Sequence, residues 1–226
     1  MNRETALLLL KQQLAFTKIN CDSTQLIAVQ GEEKGLIYYL ETGWAKLTEI
    51  SNDGMENSIN ICAPGEFIGV ATLFKSQVFP LNVTAITPCS LLTVNKSSLE
   101  SFLLENPQIM AFVFAELGNK VARLRGIKIA ANKQNAYGQV RDLLSHFARI
   151  FGTNVPGGQI IPFNLTQQDI ADFLGISRPR VSICLKSLLE LGHIHRQGRY
   201  YAVPNPVPVT TPNTTTDINY NLQIIG

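Results

Sequence analysis

The sequence predicts an α+β chain made of a double-stranded β-helix of jelly-roll type, a long central helix and a C-terminal winged helix-turn-helix. Three observations predict it. From Phe16 to about Val94 short β-type runs alternate with Gly, Pro, Asn and Asp signals. From Pro107 to about Ala131 apolar residues keep three- and four-residue steps, and from Leu165 to Ile194 two short amphipathic segments flank Gly175. The 226 residues, 45% apolar and 16% charged, allow one large domain or two small ones, either able to bury a core.

Residues 5–14 (TALLLLKQQL) form a short apolar helix ahead of the β region. The clearest β runs are those around Leu36–Leu40, Trp44–Ile50, Ser58–Cys62 and Ser90–Val94, and the turn signals are Gln30-Gly31, Thr42-Gly43, Asp53-Gly54 and Pro64-Gly65. Asp53-Gly54 is the strongest hairpin signal, because a tight turn between strands needs residues that tolerate positive φ. Regular short strands at this spacing argue for a closed or double-sheet structure.

Beyond Asn95 the pattern turns helical. Ser97–Glu105 makes a short helix, and Pro107 suits the first turn of the long one, where its missing N–H leaves no bond unmade. Along that helix Met110, Val113, Leu117, Leu124, Ile127 and Ala131 form a seam that Lys120 interrupts. The many charged flanking positions favour a seam between two copies of the chain, carried by Val113, Leu117, Leu124 and Ile127, over a core helix packed on the β domain. Residues 137–151 form another amphipathic helix with Val140, Leu143, Leu144 and Phe147 inward, and Gly152–Gly158 is expected to be a loop.

The stretch from Leu165 to Ile194 is the most informative. Thr166 caps a helix with Asp169 three residues on, Ile170, Ala171 and Leu174 share one face, and Gly175 permits a sharp turn. Ser177 caps a second helix, Pro179 fits its first turn, and Val181, Leu185 and Leu188 pack back on the first. The second helix is left with Arg178, Arg180, Ser182 and Lys186 on its outer face. Side chains near the start of such a helix reach base edges in a major groove, where an Arg fork satisfies two acceptors of guanine. Ser182 and Lys186 suit phosphates and Ile183 a thymine methyl; Ser177, and Thr166 and Gln167 at the start of the first helix, complete the candidate DNA contacts. After Gly192, Ile194–Val203 is a hairpin turning at Gln197-Gly198, and Arg196 and Arg199 beside that turn suit the sugar-phosphate backbone. His193 and His195 are expected to be surface groups or phosphate donors rather than metal ligands.

Charge follows the same division. Residues 1–105 carry 7 basic and 11 acidic side chains, residues 106–136 carry 5 and 1, and residues 137–201 carry 7 and 4. An acidic first half and a basic second half fit a sensing domain joined to one that touches nucleic acid. The expected divisions are 1–105 for the β-roll sensor, 106–136 for the dimerisation helix, 137–203 for the winged helix-turn-helix and 204–226 for a Pro/Thr/Asn-rich tail. Apolar runs such as Leu7–Leu10 are far shorter than a membrane span, and no cleavable signal pattern is present, so a cytoplasmic protein is expected. The four cysteines are scattered without a CxxC pair, fitting neither a disulfide framework nor a zinc site.

With these elements in order, the chain resembles the cyclic-AMP receptor protein/Fnr family of bacterial transcription regulators. The resemblance rests on Gln30-Gly31-Glu32, on Tyr38 to Gly43, on Asp53-Gly54, on Pro64 to Gly69 (PGEFIG) and on Leu174 to Arg178 (LGISR) through Val181. It implies a cyclic-nucleotide-binding-like β-roll and a homodimer on a pseudo-palindromic operator, with effector state passed through the long helix. Arg178 falls on a position the family uses for DNA contact. An acidic and a second arginine position of the best-known family recognition helix correspond to Pro179 and Ile183, so a different operator is expected.

The sensor segment departs from the nucleotide-binding members. Those supply a Glu for the ribose just after the position of Gly69 and an Arg for the cyclic phosphate about ten residues later, whereas Gly69–Ala85 has Val70 at the first place, no Arg, and Lys75 as its only charge. A buried phosphate without a guanidinium forfeits a charge-assisted pair worth about 1.5–3 kcal/mol. The effector is therefore not expected to be a typical cyclic nucleotide. The segment is closer in flavour to cyanobacterial nitrogen-control regulators, which bind 2-oxoglutarate. The candidate effector pocket takes in Gly69, Val70, Ala71, Thr72, Leu73 and Val83, with Arg123 and Arg125 of the long helix as possible cationic partners.

No cofactor and no metal is expected. One cysteine near the N-terminus, Cys21, is too few for an iron–sulfur cluster, and His146, His193 and His195 all lie outside the β domain, which also disfavours a cupin-type enzyme. No catalytic triad and no glycine-rich phosphate loop is legible. Two alternatives to an effector-responsive regulator stand: a ligand-independent regulator controlled by a protein coactivator, and a β-barrel small-molecule-binding protein. Double-stranded DNA and a second copy of the chain are the expected partners, with RNA polymerase or a coactivator needed for activation.

Overall fold

The computed structural model of the chain describes residues 3–33, 35–74 and 78–205. Lys75 and residues 206–226 of the expected tail lie outside them. The N-terminal helix α1 spans Arg3–Gln13, and eight strands follow: β1 Thr17–Cys21, β2 Leu26–Ala28, β3 Leu36–Thr42, β4 Ala45–Ile50, β5 Glu56–Cys62, β6 Glu66–Ile68, β7 Asn82–Ala85 and β8 Cys89–Asn95. They form two four-stranded antiparallel sheets, ordered β1-β8-β3-β6 and β2-β7-β4-β5. Between them the inward residues, among them Tyr38, Leu40, Val83 and Leu91, make the β-roll core. The β4–β5 hairpin turns at Asp53-Gly54, with Gly54 at φ 81°.

Helix α2 spans Lys96–Glu105, one residue earlier than the sequence suggests, because Asn95 accepts the Ser97 and Ser98 N–H groups at its N-terminus. Helix α3 spans Pro107–Ala131 and helix α4 spans Ala136–Phe151. Among the described residues no helix is long and apolar enough to cross a membrane.

The apolar stripe that α3 leaves uncovered differs from the expected seam. Val113 and Ile127 are buried against their own chain, at 4% and 7% exposure, whereas Phe114, Val121 and Leu124 stand exposed at 58%, 65% and 36%. An α-helix turns about 100° per residue, so the inward stripe is Ile109, Val113, Lys120, Arg123, Ile127 and Ala130. A second stripe, Met110, Phe114, Leu117, Val121 and Leu124, keeps alternating steps of four and three; Met110 and Leu117 are half-buried against the core and the other three are exposed. The expected seam mixed members of both. Lys120 interrupts it because Lys120 faces inward, toward Glu66.

The C-terminal part holds strands β9 (Thr153–Val155) and β10 (Gly158–Ile160), helices α5 (Gln167–Leu174) and α6 (Arg178–Glu190), and strands β11 (His195–Gln197) and β12 (Tyr200–Pro204). The expected loop over 152–158 is thus mostly a hairpin, turning at Pro156-Gly157 with Gly157 at φ 86°. Its strands are three residues long and largely polar, and they are held by pairing of β10 with β12. The four strands make one sheet, β11-β12-β10-β9, beside the helices.

Candidate nucleic-acid interface and effector cavity

The turn between α5 and α6 is built as its residues require. Thr166 and Asp169 form a reciprocal capping box, and Gly175 ends α5 in the left-handed region at φ 64°. Ser177 occupies the cap position of α6 but makes no side-chain capping bond. Pro179, the second helical residue, removes one of the two N–H groups such a cap could bond. Val181, Cys184, Leu185 and Leu188 are buried against the rest of the domain.

The remaining face of α6 is open. Ser177, Arg178, Arg180, Ser182 and Lys186 are all exposed, and Ile183 is 68% exposed. Lys186 stands 3.9 Å from Glu190 one turn on, a solvent-facing pair that leaves the ammonium accessible. Of the first-helix candidates, Thr166 is exposed with its hydroxyl engaged by Asp169, and Gln167 is half-buried. In the β11–β12 hairpin Gly198 sits at φ 61°. There the Arg196 guanidinium lies 5.1 Å over the Tyr201 ring and that of Arg199 lies 5.3 Å over Tyr200. Both cations are therefore presented on rings rather than swinging free. His193 is exposed, and its Nδ1 lies 2.6 Å from the Tyr137 hydroxyl. His195 is exposed on β11.

Between the β-roll and α3 lies a cavity of about 200 Å³ lined by Leu47, Ile59, Asn60, Ile68 to Thr72, Phe79, Pro80, Leu81, Leu117, Lys120, Val121 and Leu124. Gly69, Val70, Ala71 and Thr72 of the expected pocket are there. Gly69 has φ 93°, and a Cβ on it would come within 2.8 Å of the Phe79 ring, so only glycine closes this wall. The other expected members are not. Leu73 lines a neighbouring apolar groove with Phe74 and Phe114, and Val83 is fully buried in the roll. Arg125 is exposed on α3, away from the lining.

Arg123 is held by Glu66. Its two terminal nitrogens grip the two carboxylate oxygens, one at 2.8 Å, while Lys120 donates to the Phe67 carbonyl and stands 3.8 Å from the same carboxylate. Glu66 is 5% exposed, and one anion buried against two cations fixes α3 to β6. Neither this cluster nor the Lys46–Asp169 pair between the β-roll and α5 was legible in the sequence. Glu66 lies in the PGEFIG run, but its partners are 54 and 57 residues further along the chain. No local pattern announces such a contact.

Among the described residues lining the cavity, Lys120 is the only ionisable one and none is an arginine or a carboxylate. The guanidinium and carboxylate expected for a cyclic nucleotide's phosphate and ribose are not among these described lining residues. The four cysteines are buried and free, and burial pushes the Cys62 thiol up to about 11, far from a reactive thiolate.

A β-roll joined through a long helix to a winged helix-turn-helix defines a DNA-binding regulator of transcription. Known proteins agree. A cyclic nucleotide-binding domain profile matches residues 19–106 and a Crp-like helix-turn-helix domain profile matches residues 140–207. The chain is 25% identical over 173 residues to a CRP-like cAMP-activated global transcriptional regulator of Mycobacterium tuberculosis, covering 76% of this chain and 77% of that one. It is 24% identical over 191 residues to the global nitrogen regulator of Synechocystis, covering 84% and 85%. The structure of FixK2 from Bradyrhizobium japonicum superposes with a TM-score of 0.73 at 22% identity, covering 85% of this chain and 94% of that one. The chain belongs to the CRP/Fnr family of transcription regulators.

Proposed function

We propose that the protein acts in the cytoplasm as a homodimer on a pseudo-palindromic duplex site, each protomer placing α6 in a major groove. The single observation that carries this reading is the open face of α6, where Arg178, Arg180, Ser182 and Lys186 are all exposed while the opposite face is buried. Arg178 and Arg180 are the candidate base readers, and Ser177, Ser182, Lys186, Arg196, Arg199, Thr166 and Gln167 the candidate backbone contacts. Dimerisation is supported by the exposed Phe114–Val121–Leu124 stripe of α3, apolar surface that a second helix of the same kind would cover.

The effector, in this reading, is not a cyclic nucleotide. The apolar cavity suits a small, largely apolar molecule, since Lys120, the ionisable group among its described lining residues, is already engaged by the Phe67 carbonyl and Glu66. Cyclic AMP should leave the melting temperature unshifted at concentrations that stabilise a nucleotide-binding member of the family.

Sedimentation and binding to duplex DNA between about 50 and 200 mM salt test the reading. A dimer that loses orders of magnitude in affinity over that range is expected. A monomer, or no binding at low salt with candidate effectors present, overturns it.

A further inference from the structure

We infer that Ile183 selects a thymine in each half-site by covering its 5-methyl group, which makes it a specificity-determining residue beside the arginines. The inference rests on the proposed insertion of α6 into a major groove. Val181, Cys184, Leu185 and Leu188 define the buried side of that helix. At about 100° per residue Ile183 points almost directly away from their mean direction, and Pro179 and Lys186 lie one turn before and after it on the same outward stripe. Ile183 is 68% exposed, and Pro179 beside it is exposed and has no side-chain donor. The centre of the outward face is therefore an apolar ridge flanked by Arg180, Ser182 and Lys186.

An alkyl ridge in a groove rewards one feature only. Every base edge in the major groove presents donors or acceptors, and covering one of these with a hydrocarbon strips its water without returning a hydrogen bond. The thymine methyl is the single apolar group there, and packing it on Ile183 removes apolar surface of both from water. Ile183 lies five residues, about 7.5 Å, beyond Arg178 along the helix, so the two side chains meet different base pairs.

Enrichment of bound duplexes from a random library by the full-length protein, followed by replacement of each recovered thymine with deoxyuridine, tests this. At one thymine per half-site the loss of the methyl should weaken wild-type binding about three- to tenfold. Ile183→Ala should bind the parent duplex weaker by a similar factor and be indifferent to that replacement, and Ile183→Gln should move that column toward adenine. Because the side chain is exposed, both variants should melt as wild type does. Equal wild-type affinity for thymine and deoxyuridine at every recovered position, or an Ile183→Ala protein that keeps the full methyl dependence, overturns the inference while leaving the DNA-binding reading intact. Failure of the wild type to enrich any sequence overturns both.

Discussion

Lys46 of β4 and Asp169 of α5 are 123 residues apart in the chain and meet with Nζ 2.6 Å from Oδ1. The other oxygen of that carboxylate accepts the Thr166 N–H at 2.9 Å and its hydroxyl at 2.6 Å. One side chain thus both caps the first helix of the helix-turn-helix and ties it to the β-roll. Trp44 makes a second contact with the C-terminal part, its ring centroid 4.8 Å from Phe163 and 5.5 Å from Phe151.

Removing the ammonium alone, with Lys46→Met, should destabilise the protein by about 1–3 kcal/mol, since both partners are mostly buried and the carboxylate is left with one fewer cation. Asp169→Asn should cost more, because it also weakens the capping box. Urea denaturation of the two single variants and the double variant measures the coupling between them. Additive losses would show that the contact contributes nothing to stability.

Two positions on α3 separate its inward and outward stripes. Val121→Glu, at a 65% exposed site, should leave the fold intact and shift sedimentation toward monomer. Val113→Glu, at a 4% exposed site, should cost several kcal/mol through a buried unpaired charge, visible in thermal melting.

The arginines of the two candidate DNA elements should differ in kind. Arg178→Ala and Arg180→Ala are each expected to weaken binding to a selected site by about 1–3 kcal/mol and to relax sequence preference. Arg199→Ala should weaken binding to all duplexes alike and lower the salt slope by about one. Equal losses on selected and random DNA for Arg178→Ala would make it a phosphate contact.

His146 should make the joint between α3 and α4 sensitive to acid. It is buried beside Gly126, its Nε2 is 3.1 Å from the Arg123 carbonyl and its Nδ1 is 3.0 Å from the Arg149 guanidinium. Burial, and the charges of Arg149 and Arg123, hold its pKa below the ordinary 6.5, with Glu66 and Glu116 also bordering the cavity at this joint. A depressed value means that the unfolded chain takes the proton more readily. The stability is therefore complete above pH 6.5 and lost as the pH falls through the folded-state value. His146→Gln should flatten the melting temperature over pH 5 to 8; an unchanged acid slope would place the sensitivity elsewhere.

What the sequence by itself determined is the set of elements whose signals are local. The Asp53-Gly54 hairpin, the Pro107 start of α3, the Thr166–Asp169 capping box, the Gly175 turn and the cationic face of α6 each follow from residues within one turn or one hairpin of each other. Tertiary structure alone decided which stripe of α3 is covered. The helix is apolar on two sides, and three- and four-residue steps are satisfied by both, so only the placement of β6 and α4 shows that Val113 and Ile127 face their own chain while Phe114 and Val121 do not. It also decided that Arg123 and Lys120 both answer to Glu66, and that Asp169 answers to Lys46. Attraction between charges acts through space and carries no mark of separation along the chain, so such pairs become visible only when the fold has brought them together.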